Sequence, residues 1–242
     1  MEKSDLARAR EILRRQRWLV DRGVDLVEPL LAHGRLASFQ PGAWTHAEGD
    51  EDAGVLIMIR GLAHVLCKAP GEREVLLSRF GSGDAMGQTP RFGGGPRLVT
   101  VQCVESSLIL LASDRALAQI ATARPQIWEA VAALAYQRSR DLVQLLAETI
   151  ALPARQRVAA RMIRAARERD EDGKAMLCLS QENLAEMVGL TRKTVNGYFA
   201  EFERKGLIRR TYAATILLDP DGLRRIAESR AKSSSKVVND FR

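Results

Sequence analysis

Arg192, Lys193 and Asn196 lie adjacent or one helical turn apart in the stretch LTRKTVNGYF, and all three carry hydrogen-bond donors. Arg and Lys reach guanine edges or phosphates, and an Asn amide can pair with adenine. Such a trio near the start of a helix suits the major groove of duplex DNA. Ser180, Gln181, Thr191 and Thr194 supply shorter polar groups of the kind that touch phosphates and set register. No bond-breaking chemistry stands out beside them. The chain shows no nucleophile–base pair, no paired carboxylates and no metal-ligand cluster, and His33, His46 and His64 have no ligand spacing. Neither an enzyme nor a bound cofactor or metal is expected.

The stretch that must position the trio is LSQENLAEMVGLTRKTVNGYFAEFERK, from Leu179 to Lys205. Ser180 can cap a first helix by accepting an orphan backbone N–H, and Leu184, Ala185 and Val188 give that helix one apolar stripe. Gly189 can take the left-handed conformation that ends a helix. Thr191 then caps a second helix whose buried stripe is Val195, Phe199 and Phe202. An ordinary helical hairpin with a solvated, charged face is the competing reading. Directly afterwards GLIRRTYAATILLDP gives two β-branched runs around a small-residue turn, which reads as a hairpin. A helix pair followed by a hairpin is a winged helix, and Leu179–Leu218 resembles the DNA-binding half of the cyclic-AMP-receptor/Fnr (Crp/Fnr) family of bacterial transcription regulators.

Charge is distributed in keeping with that. Residues 1–149 hold 18 basic and 18 acidic side chains, whereas residues 150–242 hold 19 basic and 12 acidic ones and carry the whole +7 excess. A neutral front and a basic back fit a sensor joined to a polyanion-binding module. Cys67, Cys103 and Cys178 are dispersed and odd in number, which argues against a disulfide framework and for a reducing compartment. Cys103 alternates with Val99 and Val101 and reads as core. With no signal peptide or membrane span visible, a cytoplasmic protein without a membrane partner is expected.

An α+β chain is predicted. Residues 1–17 read as an Arg-rich, frayed surface helix, and Trp18–His33 as a helical lead-in ended by Gly34. RLASFQPGAW, GVLIMIRGLAHVLCK, REVLLSRF and RLVTVQCVESSLILLA are β-rich runs between Gly-, Pro- or acid-rich breaks, as in an antiparallel roll. Their order resembles the β-roll of the same family, a cyclic-nucleotide-binding-like domain. Pro125 opens a long helix with an apolar seam of Ile127, Val131, Leu134, Leu142, Leu145 and Leu146, and Pro153 should break it. In Ala154–Arg169, Val158, Met162, Ile163 and Ala166 should face a core, with Arg155, Arg157, Arg161, Arg164 and Arg167 elsewhere. The expected division is a β-roll over 18–124, a dimerisation helix over 125–152 and a winged helix-turn-helix over 153–229. Residues 1–17 and 230–242 are expected to be flexible tails.

The resemblance implies a homodimer on double-stranded DNA at a two-fold promoter site, with RNA polymerase as a partner if the protein is an activator. It also implies an effector pocket, here around Gln88, Arg97, Leu98, Leu142 and Val143. Family members that bind cyclic nucleotides place a Glu where Gln88 stands and a Ser where Leu98 stands, and only Arg97 is kept. Losing the carboxylate alone would weaken a cyclic nucleotide by ~10–100-fold. Cyclic AMP is therefore disfavoured, leaving a cyclic nucleotide held differently, its anion received by Arg97 and the Gly93–Gly95 amides, an unidentified small-molecule effector, or a β-roll that has become scaffold. The family's iron–sulfur and haem sensors need cysteines that this chain lacks at the matching places. The family's usual recognition helix carries a Glu and, four residues later, an Arg; Lys193 and Gly197 hold those places and imply a different operator. A cyclic-nucleotide-type regulatory module acting through protein partners, with its helix pair unused on DNA, is the alternative function.

Overall fold

The computed structural model describes residues 3–51, 54–88, 92, 95–166, 168, 169, 172–212 and 214–229. It divides into two compact units, Met1–Val143 and Gln144–Arg242.

The first unit opens with helices α1 (Lys3–Arg14), α2 (Arg17–Val20) and α3 (Val27–His33). Eight strands follow: β1 (Arg35–Phe39), β2 (Trp44–His46), β3 (Gly54–Arg60), β4 (Leu62–Ala69), β5 (Arg73–Gly81), β6 (Ala85–Gln88), β7 (Thr100–Cys103) and β8 (Ser107–Ser113). They form two four-stranded antiparallel sheets, ordered β1-β8-β3-β6 and β2-β7-β4-β5. The GVLIMIR run is apolar throughout because β3 is buried on both faces. Leu56 and Met58 meet Phe80, Val101 and Cys103 between the sheets. Val55, Ile57 and Ile59 turn the other way, into a second core built with the helices. Cys103 is core as expected, and burial pushes its thiol up.

Helix α4 (Asp114–Ala123) follows β8, started by Ser113 Oγ accepting from Ala116 N at 3.2 Å. Neither α4 nor β6 was expected. β6 overlaps a stretch, Gly81–Gly87, that reads as a glycine-rich break. Its pairing with β3, from Gly54↔Gln88 to Ile57↔Ala85, makes it a strand. The α1 segment also departs from expectation, being packed and not frayed. Ala9 and Leu13 are fully buried, and Arg10 donates to Glu28 of α3 at 2.6 and 2.9 Å. Arginines on either side conceal this short apolar face in the sequence. The 230–242 tail lies outside the described residues.

Helix α5 (Gln126–Ala151) changes character along its length. Ile127, Ala130, Val131 and Leu134 are buried against the first unit's own core, so they are not part of an open seam. Gly87 of β6 lies tight against its β3 partner, where a Cβ would sit 2.8 Å from Val55 Cγ2, while Leu134 Cδ2 of α5 is at an ordinary 3.6 Å. Farther along α5 the exposed apolar residues are Tyr136, Leu142, Val143, Leu146 and Ile150. The helix stops at Ala151, just short of Pro153, and α6 (Ala154–Ala165) begins beyond it.

The second unit adds β9 (Glu168–Arg169), β10 (Ala175–Leu177), α7 (Gln181–Val188), α8 (Arg192–Arg204), β11 (Ile208–Arg210), β12 (Thr215–Leu217) and α9 (Pro220–Glu228). Its antiparallel sheet is ordered β11-β12-β10-β9. Val158 and Met162 of α6 pack with Leu184, Val188, Val195, Phe199 and Phe202. Asp219 caps α9 by accepting from Gly222 N at 2.7 Å. One arginine of α6 is not where the pattern put it. Arg161 is 6% exposed, and its Nη2 donates to Met187 O at 3.1 Å, so it holds the end of α7. Burial, with Arg164 nearby, brings its guanidinium down to about 10.

Candidate nucleic-acid interface

The helix pair is set by four local devices. Ser180 Oγ accepts from Asn183 N at 3.0 Å and starts α7. Gly189 ends it at φ 66°, a conformation that costs other residues about 1 kcal/mol or more. Thr191 Oγ1 accepts from Thr194 N at 3.2 Å and starts α8. Finally, Val195, Phe199 and Phe202, each 1% exposed or less, seat α8 on the core.

With that stripe inward, Arg192, Lys193 and Asn196 point outward and are all exposed. Among the described residues Arg192 and Lys193 form no ion pair. Two cations without acidic partners, at the N-terminal end of a capped helix, favour a polyanion over solvent counter-ions. Thr191 and Thr194 are also on this end, their hydroxyls 2.9 Å apart. Ser180 is exposed and Gln181 half-buried at the start of α7. These seven residues therefore belong to the two helix N-termini of one helix-turn-helix.

Sequence reasoning missed the wing's share. Arg210 at the end of β11 donates from Nη1 to Asn196 Oδ1 at 3.0 Å. Its backbone N and Nε bond to the Glu203 carboxylate at 2.9 and 2.8 Å. The hydrogen bond from Arg210 holds the Glu203 carboxyl below its usual range. The paired arginines Arg209 and Arg210, opening a hairpin in the basic half of the chain, were the available signal. Beyond them Tyr212 is fully exposed at the tip.

The effector-pocket candidates come from three segments, the end of β6, the loop before β7 and α5. Arg97 is buried, its backbone paired with Asp50 O and Gly49 N at 2.7 and 2.8 Å. It lines a cavity of about 260 Å³ with His33, Arg35, Thr45, His46 and the β3 and β8 ends. Leu98 is 76% exposed, in the bend that precedes β7, and does not line that cavity. Leu142 and Val143 are exposed on α5 and do not line it either. Gln88 ends β6; residues 89–91, 93 and 94 of the same segment lie outside the described residues. No helix among the described residues is long and apolar enough to cross a membrane.

Comparison with known proteins covers both units. Residues 36–124 match the family model of the cyclic nucleotide-binding domain, and residues 156–226 match that of the Crp-like helix-turn-helix domain. The chain is 30% identical over 193 residues to a CRP-like cAMP-activated global transcriptional regulator of Mycobacterium tuberculosis, covering 78% of this chain and 86% of the relative. A second relative from that organism, the HTH-type transcriptional regulator Cmr, is 28% identical over 205 residues, 84% of this chain and 81% of the relative. Among solved structures, FixK2 from Bradyrhizobium japonicum superposes with a TM-score of 0.71 at 18% identity, over 82% of this chain and 99% of that one.

Proposed function

The chain belongs to the Crp/Fnr family of transcription regulators, and from that premise we propose that it works as a homodimer on a two-fold promoter site. The carrying observation is the exposure of Arg192, Lys193 and Asn196 on the side of α8 opposite its buried stripe. In this reading the three meet base edges, and Ser180, Gln181, Thr191 and Thr194 meet phosphates. Two such helices would enter successive major grooves about 34 Å apart. Dimerisation is supported by α5. Tyr136, Val143, Leu146 and Ile150 recur at intervals of seven, three and four residues and are all exposed, a spacing that suits pairing with a second helix.

The operator differs from the family's usual one, since Lys193 and Gly197 replace a Glu and an Arg on α8. Cyclic AMP is not the effector: Gln88 stands where a carboxylate would be needed, and Leu98 turns an alkyl chain to solvent where a hydroxyl would be needed. An unidentified small molecule near Arg97, or none, replaces it. RNA polymerase is a partner if the protein activates, and acting on DNA places it in the cytoplasm. Action through protein partners alone finds no support in the relatives, which are transcription regulators.

Selection of bound DNA from a random pool, with and without cyclic AMP, tests this. An inverted-repeat motif unaffected by the nucleotide is expected. Lys193→Ala should lose about 1–3 kcal/mol and relax one position of each half-site. Absence of any sequence preference at moderate salt would overturn the reading.

A further inference from the structure

Resting on the assignment of α8 to the base edges, we propose that Arg210 of the wing is a positioning residue. It locks the Asn196 amide with its nitrogen toward the DNA, so that the helix rejects cytosine at the base pair Asn196 faces.

Arg210 Nη1 donates to Asn196 Oδ1 at 3.0 Å, joining positions 14 residues apart. A guanidinium has donors only, so the amide atom that faces it must be the oxygen. Chemistry thus fixes an orientation that is otherwise a matter of choice for any Asn. Arg210 is itself anchored. Its backbone N, Nε and Nη2 reach the Glu203 carboxylate on α8 at 2.9, 2.8 and 2.7 Å. Swinging the guanidinium away from Asn196 would break these contacts as well.

The exposed end of Asn196 is therefore Nδ2, with two N–H donors. In the major groove, guanine N7 and O6, adenine N7 and thymine O4 can accept such a donor. Cytosine presents its own amino donor there, and two opposed donors both go unpaired. An amide free to flip would turn its oxygen to cytosine and accept the bond. The lock converts a permissive side chain into a discriminating one.

The test is selection from a random DNA pool by the full chain and by Asn196→Ala, Arg210→Ala and Arg210→Lys. The position whose preference vanishes in Asn196→Ala is the base pair that Asn196 reads. Arg210→Ala is expected to admit cytosine there, with discrimination against it falling about tenfold. Preferences at the other positions should persist, which also shows that the variant folds. Arg210→Lys, still donor-only, should keep cytosine out. Glu203→Gln, which still offers the anchor an amide oxygen and leaves the guanidinium facing Asn196, should keep cytosine out as well. If Arg210→Ala weakens all sequences equally with a shallower salt dependence, Arg210 is a phosphate contact and the lock is overturned. An unchanged cytosine penalty overturns it too. Should Asn196→Ala alter no position, Asn196 reads no base, and its place among the base contacts falls together with the lock.

Discussion

Arg155 on α6 grips Glu201 on α8, with Nη2 at 2.9 Å and Nε at 3.0 Å from the same carboxylate oxygen. Its guanidinium carbon also lies 5.7 Å from the centre of the Phe202 ring. The helix offered to DNA is thus tied to the first helix of its unit by charge and by ring contact. Arg155→Ala is expected to lower the stability of the second unit by about 1–2 kcal/mol. Urea unfolding of the full chain would read this, and Arg155→Lys should recover only part, because an ammonium cannot bond as a planar fork. The preferred DNA sequence should not change.

Gly197 sits in the middle of α8 beside Asn196, and nothing lies within 4 Å of the place a Cβ would take. Glycine there costs about 1 kcal/mol relative to alanine. No neighbour in the chain accounts for it. Gly197→Ala should therefore raise the melting temperature, by an amount equivalent to ~0.5–1 kcal/mol. With α8 in the groove as proposed, it should also weaken DNA binding, because the methyl group would project beside Asn196 toward the duplex. A higher melting temperature with unchanged affinity would place Gly197 off the DNA.

The two faces of α5 should respond differently to substitution. Leu146 and Ile150 are 59% and 76% exposed, so Leu146→Glu with Ile150→Glu should leave folding intact and yield monomers by sedimentation equilibrium. Affinity for a two-fold site should fall with dimerisation. Leu134, 2% exposed in the first unit's core, should instead cost about 2–5 kcal/mol of stability when changed to Ala. A dimer that survives the paired Glu substitutions would remove α5 as the pairing element.

Acid should loosen the second unit through Glu201 and Glu203. Hydrogen bonds from Arg155 and Lys205 hold the first carboxyl below the ordinary 4.5, and Arg210 does so for the second. Depressed carboxylates add stability that is whole above the unfolded value and is lost as pH falls through the folded one. Melting temperature should thus decline below about pH 4.5, and Glu201→Gln should flatten the decline. A curve identical in the variant would show that this carboxylate carries none of the acid sensitivity.

Much of the fold was legible because its signals are local. Ser180, Thr191 and Asp219 each cap a helix that begins at the next residue, and Gly189 turns left-handed where the pattern breaks. Alternation placed Cys103 in the core, and Pro153 separates α5 from α6. What escaped depends on partners distant in the chain. Arg161 is buried with its Nη2 donating a hydrogen bond to Met187 O, 26 residues away; nothing in the periodicity of α6 says so. Residues 3–14 hide a core face of Ala9 and Leu13 among arginines. The seam expected along α5 merged two faces, since a stripe does not reveal which neighbour covers it. In the candidate interface, helix spacing turned Arg192, Lys193 and Asn196 outward together, but the Arg210–Asn196 bond needs the hairpin folded back on α8.

Strand β3 belongs to two interiors at once, with alternate residues serving the sandwich and the helical layer. A strand with one wet face tolerates polar replacement at every second position. Here a mutational scan should find five consecutive intolerant positions, Val55 through Ile59, with no permissive beat between them. Damage at any of them reaches the sheets and the helices together, so the β-roll half of this regulator has no single-residue route to partial unfolding through its central strand.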